Sequence, residues 1–162
     1  MRLQERARQE AAKRQLLIDF SVADMRHAYE HHRQQFDLVI ACDTDVVLDD
    51  EVLGKPGSPS EAREYLDRMS GRAHTVMGGL VVVADGEERI GVERTTVVFK
   101  DLSEPEKDRY VAFGEWEGRS GGYAIQTLGS SLVERLEGSV SNVVGLPVGL
   151  LAELAPELFE RA

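Results

Sequence analysis

Asp37-Leu38-Val39-Ile40-Ala41-Cys42-Asp43-Thr44-Asp45 is the stretch on which the fold turns. A short apolar run bounded by aspartate has the pattern of a buried strand. The pattern predicts a strand over 37–42 that stops abruptly at the acidic cluster. Val46 to Leu53 then reads as a tight hairpin with Asp49-Asp50 at its turn. Gly54-Lys55-Pro56-Gly57 is loop. Ser58 or Ser60 caps a helix to about Met69, Pro59 is tolerated in its first turn, and Gly71 ends it.

Further on, two long strands are expected over about 73–84 and 88–100, joined at the hairpin signal Asp85-Gly86. Ser103-Glu104-Pro105-Glu106 opens a helix through about Phe113, with a capping-box pattern between Ser103 and Glu106. Gly118 to Gly122 is a glycine-rich loop, and a strand pattern returns over Leu132–Leu136. Asn142 is placed to cap a final helix that turns Leu150, Leu151, Leu154 and Leu158 inward. In the other direction, helical spacing predicts helices over 3–17 and 22–35. No repeat or linker divides the 162 residues, so one α/β domain is expected.

Composition narrows the function. The net charge of −10 argues against nucleic acid or anionic lipid as a partner. No apolar run approaches the roughly 20 residues of a membrane helix. The N-terminus MRLQERARQEAAKRQ is charged and does not read as a signal peptide. One cysteine, Cys42, excludes an intrachain disulfide and suits a reducing cytoplasm. His27, His31 and His32 lack a further ligand at fixed spacing, so a solvated helix face is their expected role.

Three pieces of sequence carry candidate chemistry. Asp43 and Asp45, two apart on extended chain, face one way and form a hard-oxygen set suited to Mg²⁺ or Mn²⁺; a solvated acidic turn is the other reading. Lys55 sits between glycine and proline on a constrained loop, where its ammonium can pair with phosphate. In Gly121-Gly122-Tyr123-Ala124-Ile125-Gln126, two glycines allow close backbone approach to a ligand. The Gln126 amide offers a donor beside an acceptor, which matches the imide edge of uracil or thymine; a polar residue at a strand end is the plainer reading.

In sequence and order, these pieces resemble the Maf proteins. The resemblance runs through Ala41-Cys42-Asp43-Thr44, Leu53-Gly54-Lys55-Pro56, Leu66 to His74, Arg119 to Gln126 (RSGGYAIQ) and Leu132 to Pro147, and covers roughly residues 37–150. It implies a central mixed sheet flanked by helices, like that of inosine triphosphate pyrophosphatases. It implies a cytoplasmic, metal-dependent enzyme that hydrolyses nucleoside triphosphates to monophosphate and pyrophosphate. Family members are often dimeric, so a homodimer is one assembly it allows. The position of Asp43 is the family's catalytic base, and those of Thr44 and Gln126 help set substrate choice. The Asp-Thr and Ile-Gln pairs resemble the dTTP/UTP branch. Divalent Mg²⁺ or Mn²⁺ is the cofactor implied.

The front of the chain departs from that pattern. The family's Ser-Pro-Arg-Arg phosphate loop is met here by Glu10-Ala11-Ala12-Lys13-Arg14. Its acidic metal-binding segment is absent between Asp19 and Asp24, and the lysine position, counted back from Asp43, falls on Arg26. Asp45 is a candidate replacement for the missing metal carboxylate. The alternative function is a catalytically impaired nucleotide-binding or interaction protein on the same scaffold.

Overall fold

A computed structural model describes residues 38–84 and 87–159. The helices expected over 3–17 and 22–35, the Arg26 position and the Asp85-Gly86 turn lie outside the described residues.

Strand β1 (Leu38–Leu48) returns as β2 (Glu51–Leu53) through the expected hairpin. Asp49 and Asp50 both take left-handed backbone, with φ of 52° and 64°. That is the pairing a two-residue turn between twisted strands needs, and aspartate tolerates it. One expectation is corrected: the strand does not stop at Cys42. It runs through Asp43 to Leu48, and residues 38–45 are half-buried or exposed rather than buried. The reason is its partner. Strand β3 (Ala73–Ala84) pairs antiparallel with β1 from Leu38↔Ala84 to Val47↔Thr75. Main-chain bonds hold that ladder whatever the side chain, and an antiparallel strand buries alternate residues only. Asp43 therefore lies in mid-strand.

Strand β4 (Glu87–Phe99) pairs with β3, and β5 (Val133–Glu137) closes the sheet in the order β2-β1-β3-β4-β5. All the described pairings are antiparallel. The chain forms the expected α/β fold, with helices α1 (Pro59–Met69), α2 (Glu104–Phe113), α3 (Val140–Val144) and α4 (Val148–Leu154) added to the central sheet. The Ser58 hydroxyl caps α1 by accepting the Glu61 N–H at 3.2 Å. The Glu106 carboxylate accepts the Ser103 N–H at 2.8 Å at the start of α2. Among the described residues, no helix is long and apolar enough to cross a membrane.

Among the described residues, one face of the sheet carries two packed clusters. Val46, Leu48, Val76, Val97 and Phe99 pack against Ala62, Leu66 and Met69 of α1 and Tyr110 of α2. Further along β3, Leu80 and Val82 take Leu151 and Ala155. Between the two clusters stands Gly78. A Cβ there would lie 2.0 Å from the Asn142 Oδ1, so only glycine admits the Asn142 amide. This corrects the reading of Asn142 as a helix cap. It is fully buried inside α3, and its amide nitrogen donates to Val76 O at 3.2 Å and Thr95 Oγ1 at 3.1 Å. The cap is Ser139, whose hydroxyl accepts the Asn142 N–H. The final helix packs as expected through Leu151, with Leu150 and Leu154 partly buried beside it, but Leu158 is 41% exposed. Pro156 opens a separate turn (Pro156–Leu158), because the residue before a proline is driven out of helical backbone.

Candidate active site

Five separate segments line one cleft, β3 among them through Val76. Strand β1 contributes Cys42, Asp43 and Thr44, and the loop after β2 contributes Lys55. The segment before β5 contributes Gly118, Arg119, Ser120 and Tyr123 to Gln126, and the end of α3 contributes Val143, Val144 and Gly145. Asp43 and Thr44 are half-buried, whereas Lys55, Arg119 and Gln126 are exposed. The structure thus brings Asp43, Thr44, Lys55 and Gln126 together, although 83 residues separate the first from the last (126 − 43).

Glycines make this convergence possible. The Gly121 N–H donates to Gly54 O at 3.0 Å, which ties the glycine-rich segment to the lysine loop. Gly121 has φ of 70°, and a Cβ there would sit 2.6 Å from Val46 Cγ2. Left-handed backbone and the close approach both require glycine. Lys55 and Arg119 are accordingly held on two loops that are bonded to each other. Neither forms an ion pair among the described residues, so both charges are available to an anion.

The Asp43 Oδ1 accepts the Thr44 N–H at 2.9 Å, which fixes the carboxylate. The Thr44 Oγ1 is buried, and no hydrogen bond of normal geometry reaches it from the described residues. Burial pushes the Cys42 thiol up, so it stays protonated and is a poor nucleophile or metal ligand. Asp45 does not join Asp43 in lining the cleft. Its Oδ1 accepts the Ser120 hydroxyl at 3.1 Å, which tethers the glycine-rich segment to β1.

The donor set bears on the metal. Among the described residues, no group of three or more His, Cys, Asp or Glu is placed to hold an ion. Mg²⁺ and Mn²⁺ need no such cage: Mg²⁺ is commonly held by one or two carboxylates together with substrate phosphates and water. The half-buried Asp43 carboxylate, facing the cleft, fits that mode.

Sequence reading passed over Arg119, Ser120, Tyr123 and His74 as individual contributors. Arg119 heads the RSGGYAIQ motif, so position in the motif was the available signal. His74 closes the Leu66 to His74 motif, but its contact with Tyr123 spans 49 residues and shows only in the fold.

Comparison with known proteins gives the family. Residues 1–158 match the family described as Maf-like protein. That span exceeds the stretch of 37–150 on which the resemblance was read, and it takes in the divergent front. A dTTP/UTP pyrophosphatase of Pyrococcus abyssi is 44% identical over 124 residues, covering 76% of this chain and 66% of that protein. A dTTP/UTP pyrophosphatase of Syntrophus aciditrophicus is 41% identical over 123 residues, covering 75% of this chain and 60% of that protein. A dTTP/UTP pyrophosphatase of Desulfitobacterium hafniense is 37% identical over 145 residues, covering 89% and 65%. The matched region is therefore slightly under two thirds of the length of these relatives. With the family match spanning nearly the whole chain and the motif residues gathered on one cleft, the chain belongs to the Maf family.

Proposed function

We propose that this protein hydrolyses nucleoside triphosphates to the monophosphate and pyrophosphate, with dTTP and UTP as preferred substrates. The observation that carries the reading is the convergence of Asp43, Thr44, Lys55 and Gln126 on one cleft from distant parts of the chain. The relatives named above support the same substrates.

Asp43 orients a water and takes its proton for attack at the α-phosphorus. Its Oδ1 is engaged by the Thr44 N–H, and the second oxygen takes the proton. Lys55 and Arg119 stabilise the charge on the phosphates, and Arg119 adds a planar fork suited to two phosphate oxygens. A divalent ion held by Asp43 and the substrate phosphates would neutralise charge on the leaving pyrophosphate. Asp45, engaged by Ser120, positions the segment that carries Arg119. Gln126 reads the base: its amide oxygen accepts from N3–H and its NH₂ donates to O4. Thr44, at the cleft wall, orients that contact.

A second reading, binding without turnover, rests on Glu10-Ala11-Ala12 at the family's phosphate loop, because a glutamate there repels phosphate. One kinetic comparison tests both. We expect kcat/KM for dTTP and UTP to exceed that for dCTP and CTP, since a base that mismatches the oriented Gln126 amide leaves polar groups unpaired in the complex. Gln126→Ala should narrow that gap more than it lowers the best rate, and Lys55→Ala should lower all four nucleotides alike. Equal losses for every nucleotide in Gln126→Ala would refute base reading by this residue. Binding without hydrolysis in the unaltered protein would favour the second reading.

A further inference from the structure

His74 lies on β3, with 3% of its surface exposed, yet it does not touch the cleft. Its Nε2 is 2.8 Å from the Tyr123 hydroxyl, and its Nδ1 is buried with no hydrogen-bond partner among the described residues. The ring packs edge-on against both Phe99 and Tyr123, at centroid distances of 4.9 and 5.4 Å. Phe99 and Tyr123 meet edge-on in turn at 4.9 Å. An apolar ring would suit this aromatic cluster and leave no orphaned nitrogen. A buried polar atom without a partner costs about 1–3 kcal/mol. Packing alone therefore does not account for a histidine here.

What the histidine adds is a bond to Tyr123, and Tyr123 leads directly into Ala124-Ile125-Gln126. Among the described residues, that segment joins no strand ladder. Its fixings are the Tyr123–His74 bond, the Ala124 N–H donating to the Tyr110 hydroxyl at 3.2 Å, and the Gly129 N–H donating to Glu115 Oε2 at 2.8 Å. Gln126 stands exposed between these fixings, three residues after Tyr123. We propose that His74 is a positioning residue for base recognition, which acts through the Tyr123 hydroxyl to hold the segment carrying Gln126. This rests on the reading of Gln126 as the base-contacting residue.

The test is the double variant His74→Phe/Tyr123→Phe. It keeps the three aromatic rings and removes both partners of the bond together, a change that is near neutral for stability when shape is kept. Two measurements follow. Amide hydrogen exchange, made without nucleotide and so independent of turnover, should speed up by tenfold or more at Ala124–Gln126 while β3 is unchanged. The ratio of kcat/KM for dTTP over dCTP should fall by about tenfold, with KM for dTTP rising more than kcat falls. Tyr123→Phe alone should show both effects, which covers failure of the double variant to fold. His74→Gln, which can still reach the hydroxyl, should recover part of the discrimination. Unchanged exchange at 124–126, or unchanged discrimination in Tyr123→Phe, would overturn the proposal. If the unaltered protein shows no turnover, the proposed function fails, and the exchange measurement alone still decides whether the bond holds the segment.

Discussion

Asp43 occupies a mid-strand position, half-buried, with one carboxylate oxygen taken by the neighbouring Thr44 N–H. Its presence beside a short apolar run was legible in the sequence, as were Lys55 between glycine and proline and Gln126 after two glycines. Each of those residues is unusual for its local surroundings, and local surroundings are what a sequence displays. His74 is the opposite case. It closes the Leu66 to His74 motif, but its partners are rings that only folding brings together. Its chemistry nonetheless makes a clear prediction. Burial pulls its pKa from the usual 6.5 down to about 4. Between those values the unfolded chain binds a proton that the folded chain refuses. Stability is therefore full above pH 6.5 and declines as pH falls toward 4, by about 3 kcal/mol over the whole interval. Urea unfolding of the unaltered protein and of His74→Gln across pH 4 to 7 should show the flatter profile in the variant. Parallel profiles would mean that His74 does not carry this slope.

The elements show where pattern reading succeeds and where pairing overrides it. The Asp49-Asp50 hairpin, the Ser58 and Ser103 helix starts and the long strands over 73–84 and 87–99 follow local rules, and all are present. The continuation of β1 through an acidic cluster is set by its ladder with β3, which no window of β1 reveals. Asn142 likewise obeys a distant residue, because the absent side chain at Gly78 makes room for its amide. The glycine-rich segment is the element on which the cleft depends most. Gly121→Ala would add a Cβ at φ of 70° and 2.6 Å from Val46. Overpacking of this kind costs roughly 1–3 kcal/mol, and left-handed backbone adds about 1 kcal/mol more. Thermal unfolding should show a destabilisation of about 3 kcal/mol, while Gly118→Ala, which has φ of 69° but meets nothing within 4 Å, should cost only the smaller part. Equal effects would show that the approach to Val46 is not a tight constraint.

Taken as a whole, the molecule places its chemistry where separate supports meet. One sheet face carries two packed clusters, the buried Asn142 amide fills the gap between them, and the cleft opens beside that junction. Arg63, which pairs with Asp67 and Glu104, and Lys107, bonded to Asp67 at 2.7 Å, fasten α1 to α2 behind the site. A shared acid between two cations makes this a network rather than an isolated exposed pair, the arrangement in which surface charges contribute most. The described scaffold thus gathers a half-buried carboxylate, Asp43, two exposed cations, Lys55 and Arg119, and an exposed amide, Gln126, on one cleft. The chain matches slightly under two thirds of the length of the relatives named above. The central claim is that the residues gathered on the cleft suffice for catalysis. The direct measurement is pyrophosphate release from dTTP and UTP with Mg²⁺ or Mn²⁺, in the unaltered protein and in Asp43→Asn. The asparagine keeps the shape of the side chain but cannot take a proton. The account predicts monophosphate and pyrophosphate in equal amounts from the unaltered protein, and a loss of at least a hundredfold in a variant that remains folded. A folded protein that releases no pyrophosphate, or turnover that survives Asp43→Asn undiminished, would contradict it.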